Sequence, residues 1–471
     1  MNTRAILILL LVLMTPGWGA MPPAEKLNFV VILIDDLGWK DLSAYGSTFY
    51  ETPNVDRLAG QGIRFTDAYA SAPVCSPTRA GLLTGKYPAT LNLTDWIPGR
   101  KQWPWARLLT PEFNQQLPLQ ERTIAEALAP LGYVSASIGK WHLGGEGYLP
   151  TQQGFNLNIG GTSRGSPPSY FSPYKIPTLE DGPEGEHLTD RLSREAVRFI
   201  RENRGKPFFL YLTHFSVHIP LQGKQEKIAK YRAKANPDDP QHHPVYAAMI
   251  ESMDESVGRI LQTLEELDLD GRTIIFFTSD NGGLMYEGKR TEPVTSNAPL
   301  RAGKGHLYEG GIRVPLIVKW PEVTRPGTTY SLPVTSADIL PTVLEMAGVE
   351  SDSLLDGKSL VPVLSGNGIL DREAVYWHYP HYSNQGGEPG GAIRQGDYKL
   401  IEFYRDGKLE LYNLREDIGE RHDLSQKMPE KTAELHGKLK AWRSSVGAAM
   451  PAPNPDYDPE KAGQGLTGAQ R

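Results

Sequence analysis

The sequence predicts an α/β fold: a large, mixed but mostly parallel sheet flanked by helices, with a smaller α+β domain toward the C-terminus. Three observations predict it. Short apolar runs without polar alternation recur between residues 29 and 278, the pattern of strands covered on both faces. Stretches with apolar residues at helical spacing lie between them, and strand–helix alternation favours a doubly wound sheet. Each run also ends in polar or charged residues, at the edge where such sheets bind ligands.

Taken in order, the chain opens with Arg4, an apolar run from Ala5 to Met14, and small residues at Gly19 and Ala20. About ten apolar residues are too few to span a bilayer comfortably and suit a cleaved secretory signal over residues 1–20. The expectation is a secreted or periplasmic protein with no membrane anchor. The first strand, 29–34, runs into Asp35 and Asp36, and 134–138 runs into Lys140 and His142. The run 208–212 leads to His214 and His218, and 273–278 leads to Asp280 and Asn281. Helices are expected over 123–131, 188–203 and 246–267, the last with Met249, Met253, Val257, Ile260 and Leu264 at roughly helical spacing. Singly, an Asp pair is a turn or a helix cap, a lone His is a bonded structural residue, and 280–283 is a tight turn. Four such groups converging on one sheet edge are a different matter.

Composition narrows the function. The 471 residues carry 49 Lys plus Arg against 55 Asp plus Glu, a net charge of −6. That length buries an ample core, and that balance leaves no electrostatic footprint for nucleic acid. The 48 Gly and 38 Pro, with no repeat or low-complexity tract, indicate long structured loops. The only cysteine, Cys75, excludes an intramolecular disulfide. Ser76 is a fair N-cap, Pro77 suits the first helical position and Gly85 the exit, so a short helix is expected with Cys75 at its positive end. Arg79, one turn on, reaches back toward position 75. The bland alternative is a buried inert thiol.

The segment 75–85, Cys-Ser-Pro-Thr-Arg-Ala-Gly-Leu-Leu-Thr-Gly, resembles the maturation motif of the type I sulfatases, whose cysteine is oxidised after synthesis to formylglycine. The resemblance covers most of the mature chain. Asp35-Asp36-Leu37-Gly38 and Ser279-Asp280-Asn281-Gly282 look like that family's two metal motifs, Gly139-Lys140-Trp141-His142 like its Gly-Lys-Trp-His block, and Lys304 like its late lysine. It implies an alkaline-phosphatase-like fold and hydrolysis of sulfate monoesters. It also implies that Cys75 becomes the formylglycine nucleophile and that Asp35, Asp36, Asp280 and Asn281 hold Ca2+ with the modified Cys75. By the same resemblance Arg79 and Lys140 stabilise position 75, and His142 is the base that releases sulfate. His218, preferred over His214 because a residue and then a proline follow it, protonates or binds the leaving oxygen, and Lys304 neutralises the sulfate. A formylglycine-generating or anaerobic maturation enzyme is the implied partner. The chemistry agrees: a sulfate ester is an anion with a poor leaving group, so hydrolysis needs a nucleophile, neutralising charge and a proton. All-oxygen donors suit a hard divalent cation.

Polar, aromatic segments lie at 92–107 (Trp96, Arg100, Trp103, Trp105), 160–183 (Arg164, Tyr170, Tyr174) and 377–384 (His378, His381). Such groups stack on and hydrogen-bond to sugars, or simply anchor long loops. Arg164, His378 and His381 therefore join Lys140, His218 and Lys304 as candidate substrate contacts. The expected substrate is a sulfated mono- or oligosaccharide of galactose or N-acetylgalactosamine type. The catalytic domain is expected over 21–370 and the smaller domain over 371–450, with antiparallel strands at 391–401 and 409–414 and a helix at 429–446. Residues 451–471 are expected to be a loose tail. Two other readings stay open: a phosphodiester or phosphonate monoester hydrolase of the same superfamily, and a glycan-binding relative without turnover.

Overall fold

The computed structural model describes residues 26–286, 293–350, 354–366 and 368–461, so the expected signal segment 1–20 lies outside the described residues. Nine strands form the main sheet, in the order Val334–Thr335, Ile63–Tyr69, Arg313–Lys319, Thr273–Ser279, Asn28–Ile34, Phe208–His214, Val134–Gly139, Leu157–Ile159, with Thr328–Tyr330 also beside Ile63–Tyr69. Only Arg313–Lys319 runs antiparallel to its neighbours.

The unbroken apolar runs have the expected cause. Along Asn28–Ile34, Phe29, Val31 and Leu33 enter one core layer while Val30, Ile32 and Ile34 enter the other. Helices Leu188–Glu202 and Pro244–Glu266 cover the second face; Cys75–Thr84, Ile124–Leu128 and Ile339–Met346 cover the first. The helix expected at 123–131 is α-helical over Ile124–Leu128 and tightens into a 3-10 turn over Ala129–Leu131, and it starts at a capping box in which Thr123 and Glu126 satisfy each other's backbone N–H groups. No helix among the described residues is long and apolar enough to cross a membrane.

Four antiparallel strands, Val375–Tyr379, Gly390–Gln395, Tyr398–Phe403 and Leu409–Asn413, form a second sheet. One face packs on helix Pro429–Ser445 through Ile393, Leu400, Leu411, Leu435 and Leu439. The other packs Trp377, Tyr379 and Ile401 against Tyr69, Val74, Leu307 and Ile312 of the larger part. A buried ion network crosses this junction: Lys399 Nζ meets Glu309 Oε1 and Glu420 Oε1, each at 2.9 Å, and Arg313 Nε donates to Glu309 Oε2 at 2.6 Å.

Two expectations need correction. The tail is not loose over 452–461: Ala452–Pro453 pairs with Leu108–Leu109, and Asn454 Nδ2 donates to the carbonyls of Pro104 at 2.9 Å and Ala106 at 2.7 Å. Backbone groups left free by the irregular segment before Leu108 supply that pairing. Ser76 is not the cap of its helix. Helix Cys75–Thr84 begins two residues earlier, after Val74 in extended conformation, and Ser76 Oγ instead accepts from Ile97 N at 3.1 Å. Pro77 then sits within the first turn, where its missing N–H costs no intrahelical bond. Gly85 does end the helix, in the left-handed region at φ 68°, donating its N–H to Gly81 O at 2.8 Å.

Candidate active site

In-register parallel strands finish together, and this delivers the polar residues. Ile34 lies level with Ser279 on one side and His214 on the other, while Gly139 lies level with Thr213. Asp35, Asp280 and Lys140 therefore leave the same sheet edge. Lys140 can turn there because Gly139 has φ 110° and sits against the neighbouring strand, where a Cβ would come to 1.8 Å from Thr213 O.

The convergent groups form one buried lattice. Lys140 Nζ contacts Asp35 Oδ2 at 2.7 Å, Arg79 Nε donates to Asp280 Oδ2 at 2.9 Å, and Lys304 Nζ contacts Asp36 Oδ1 at 2.7 Å. Arg79 Nη1 also donates to the carbonyl of Lys140 at 2.9 Å, tying helix Cys75–Thr84 to the sheet edge. Asn281 Nδ2 donates to Asp36 Oδ1 at 2.8 Å, which turns its own oxygen away. Three carboxyl groups thus face three basic side chains.

Burial dominates the acid–base behaviour. It raises Asp35 well above the usual carboxylate range, with Lys140 pulling against it. Burial also acts upward on Asp36, but Lys304, His218 and Lys140 outweigh it and hold that carboxyl below the usual range. The Cys75 thiol is pushed up by burial despite Lys140 and Lys304. His142 is driven well below its ordinary value by burial and by Lys140, so the ring is neutral. Its Nε2 lies 2.6 Å from the carbonyl oxygen of Ile97, so the proton sits there and the Nδ1 lone pair faces Cys75 Sγ at 3.5 Å. Burial and Lys304 lower His218 to about 3; its Nδ1 lies 2.8 Å from Ile219 O and its Nε2 lies 3.7 Å from Asp36 Oδ2.

The residues fit a metal ion. Asp35 Oδ1 and Asn281 Oδ1 are buried and have no hydrogen-bond partner. Ligand atoms of Asp35, Cys75 and Asp280 lie within 4.8 Å of one another, as do those of Asp35, Asp36 and His218. Buried oxygens without donors beside further carboxylates are the donor set of a hard cation.

Above this lattice opens a cavity of about 570 Å³, whose lining includes Cys75, His142, His218, Lys304, Arg164 and Trp96. Lys140, Arg79 and the acids lie beneath it. His214 is buried elsewhere, with Nε2 at 2.8 Å from Ser256 Oγ. His378 and His381, expected at the substrate, do not line the cavity. His378 has both nitrogens engaged, by Tyr404 Oη at 2.8 Å and Ala449 O at 2.9 Å, and His381 Nε2 is 2.8 Å from Thr94 Oγ1. Tyr170 is a buried anchor whose hydroxyl donates to the carbonyls of Phe215 and His218. Sequence reasoning missed Ser163, Gln385, Leu284 and the Ile97 carbonyl. No local pattern marks them, because they reach the cavity from distant loops.

Comparison with known proteins agrees with this geometry. The family profile described as Sulfatase matches residues 27–349, and that described as N-sulphoglucosamine sulphohydrolase, C-terminal, matches 302–445. A sulfatase of Formosa agariphila is 34% identical, with 89% of each chain covered. The dog N-acetylgalactosamine-6-sulfatase is 32% identical, over 83% of this chain and 74% of that one. The crystal structure of Ps i-CgsB in complex with k-i-k-neocarrahexaose superposes with a TM-score of 0.76 at 29% identity, covering 92% of this chain and 95% of that one. With the profile covering well over half of the chain, this protein belongs to the sulfatase family and is a sulfuric ester hydrolase of alkaline-phosphatase-like fold.

Proposed function

We propose that the protein hydrolyses sulfate monoesters of a carbohydrate through a formylglycine hydrate made from Cys75. The observation that carries this reading is the 3.5 Å approach of His142 Nδ1 to Cys75 Sγ at the floor of the cavity, with Lys304 on its wall. One hydroxyl at position 75, ionised as its proton passes to solvent, attacks sulfur and the S–O bond to the sugar breaks; the departing oxygen is bound at His218 and takes a proton from the Lys304 ammonium, which solvent restores. His142 Nδ1 then takes the proton of the second hydroxyl, the C–O bond to sulfate breaks, and the aldehyde returns to be rehydrated by water. Arg79 and Lys140 hold position 75, and Lys304 neutralises the sulfuryl oxygens.

Asp35, Asp36, Asp280 and Asn281, with the group at position 75, would hold Ca2+, which when bound polarises the sulfuryl oxygen and favours the ionised nucleophile. The relatives' sugar substrates and the partly buried Trp96 on the wall support a galactose- or N-acetylgalactosamine-type substrate. An exported protein matured by a dedicated oxidising enzyme completes the reading.

The test begins with the tryptic peptide containing Cys75, from protein co-produced with a maturation enzyme. Conversion of the thiol to an aldehyde lowers its mass by about 18 Da, and release of sulfate from sulfated galactose or galactosamine follows, absent in Cys75→Ala. An intact thiol despite a competent host defeats the mechanism. Faster turnover of matched phosphate or phosphonate esters points instead to the phosphoester reading.

A further inference from the structure

The chain carries more acid than base, 55 against 49, yet none of the described residues lining the cavity over Cys75 is an aspartate or glutamate. The wall carries two permanent cations. Lys304 is paired with Asp36, whereas the Arg164 guanidinium has no hydrogen-bond or ion-pair partner among the described residues.

Arg164 is held close to the chemistry. Its segment lies against His142: the His142 N–H donates to Thr162 O at 3.0 Å, and Arg164 N donates to Thr162 Oγ1 at 3.1 Å. At Gly165 the fit is so close that a Cβ would stand 2.5 Å from His142 Cε1. The guanidinium beside it is therefore carried on a segment anchored to the base.

We propose that Arg164 binds a second anionic group of the substrate, a carboxylate or a further sulfate, on the sugar bearing the scissile ester or on its neighbour. A planar guanidinium offers parallel N–H donors that match either oxyanion, and no carboxylate among the described wall residues competes for it or repels the ligand. The cavity thus selects polyanionic glycans over singly sulfated neutral ones. The inference rests on the sulfatase reading of the site.

Binding and turnover separate the two claims. Calcium-loaded Cys75→Ala is titrated calorimetrically with galactose 6-sulfate, galactose 2,6-disulfate, and a disaccharide joining a uronate to N-acetylgalactosamine 6-sulfate. At least one dianionic probe should bind about tenfold more tightly than the monosulfate. Arg164→Ala in the same background should remove that preference, and Arg164→Lys should keep part of it. Which dianion gains identifies the second anion as sulfate or carboxylate. Equal affinity for all three, a preference that survives Arg164→Ala, or no binding of either dianion at millimolar concentration overturns the proposal. Matured wild-type enzyme is assayed alongside for sulfate release from the same three probes; absence of release from all of them defeats the sulfatase reading while the titration still reports on Arg164.

Discussion

The carbonyl oxygen of Ile97 accepts the Nε2 proton of His142 at 2.6 Å, and that bond decides which ring nitrogen faces position 75. Ile97 is itself held by Ser76, whose Oγ accepts from Ile97 N at 3.1 Å, next to the nucleophile in sequence. Ser76→Ala should lower kcat up to about tenfold with little change in KM, the worth of one hydrogen bond. Ser76→Thr should recover most of it. Peptide mass spectrometry of the modified position, used to normalise each rate, separates this effect from poorer maturation.

Lys304 answers to charge rather than shape. It is paired with Asp36 and raised above the ordinary lysine range, burial notwithstanding, by Asp36 and Cys75, so it stays cationic at working pH. Lys304→Ala should cost about two to three powers of ten in kcat/KM on any sulfate ester, measured by sulfate release. A loss below threefold would remove it from the chemistry.

Metal removal should be visible without turnover. The unpartnered Asp35 Oδ1 and Asn281 Oδ1 predict that a chelator lowers the thermal midpoint and that calcium restores it. A ligand at one hundred times its Kd adds about 2.7 kcal/mol to stability. Asp280→Ala should abolish the calcium-dependent rise, read by differential scanning fluorimetry.

The ion network between the two sheets makes a prediction about stability. Lys399 is fully buried between Glu309 and Glu420, and Glu309 lies five residues after Lys304. Lys399→Met leaves Glu420 without its cation and should destabilise the protein by about 3–5 kcal/mol in urea unfolding. A loss under 1 kcal/mol would mean that the junction relaxes around the carboxylates.

Much of the architecture was legible because it rests on local pattern. Runs such as 29–34 are apolar at every position since both faces are covered, and the helices carry their own periodicity and caps. Ser76 was misplaced for the converse reason: its oxygen is claimed by Ile97, twenty-one residues away, and a competing long-range donor leaves no mark on a capping signal. Composition alone marks His378 and His381 as sugar contacts, but burial commits them to Tyr404, Ala449 and Thr94.

The sequence by itself determined the strands, the polar residues at their ends and the segment around Cys75, because spacing along a chain and residue chemistry are local facts. The tertiary structure alone decided which nitrogen of His142 faces Cys75, which histidines face the cavity, and that among the described residues its wall holds an unpaired Arg164 and no carboxylate. Those outcomes depend on distances between segments far apart in the chain, and only packing sets such distances.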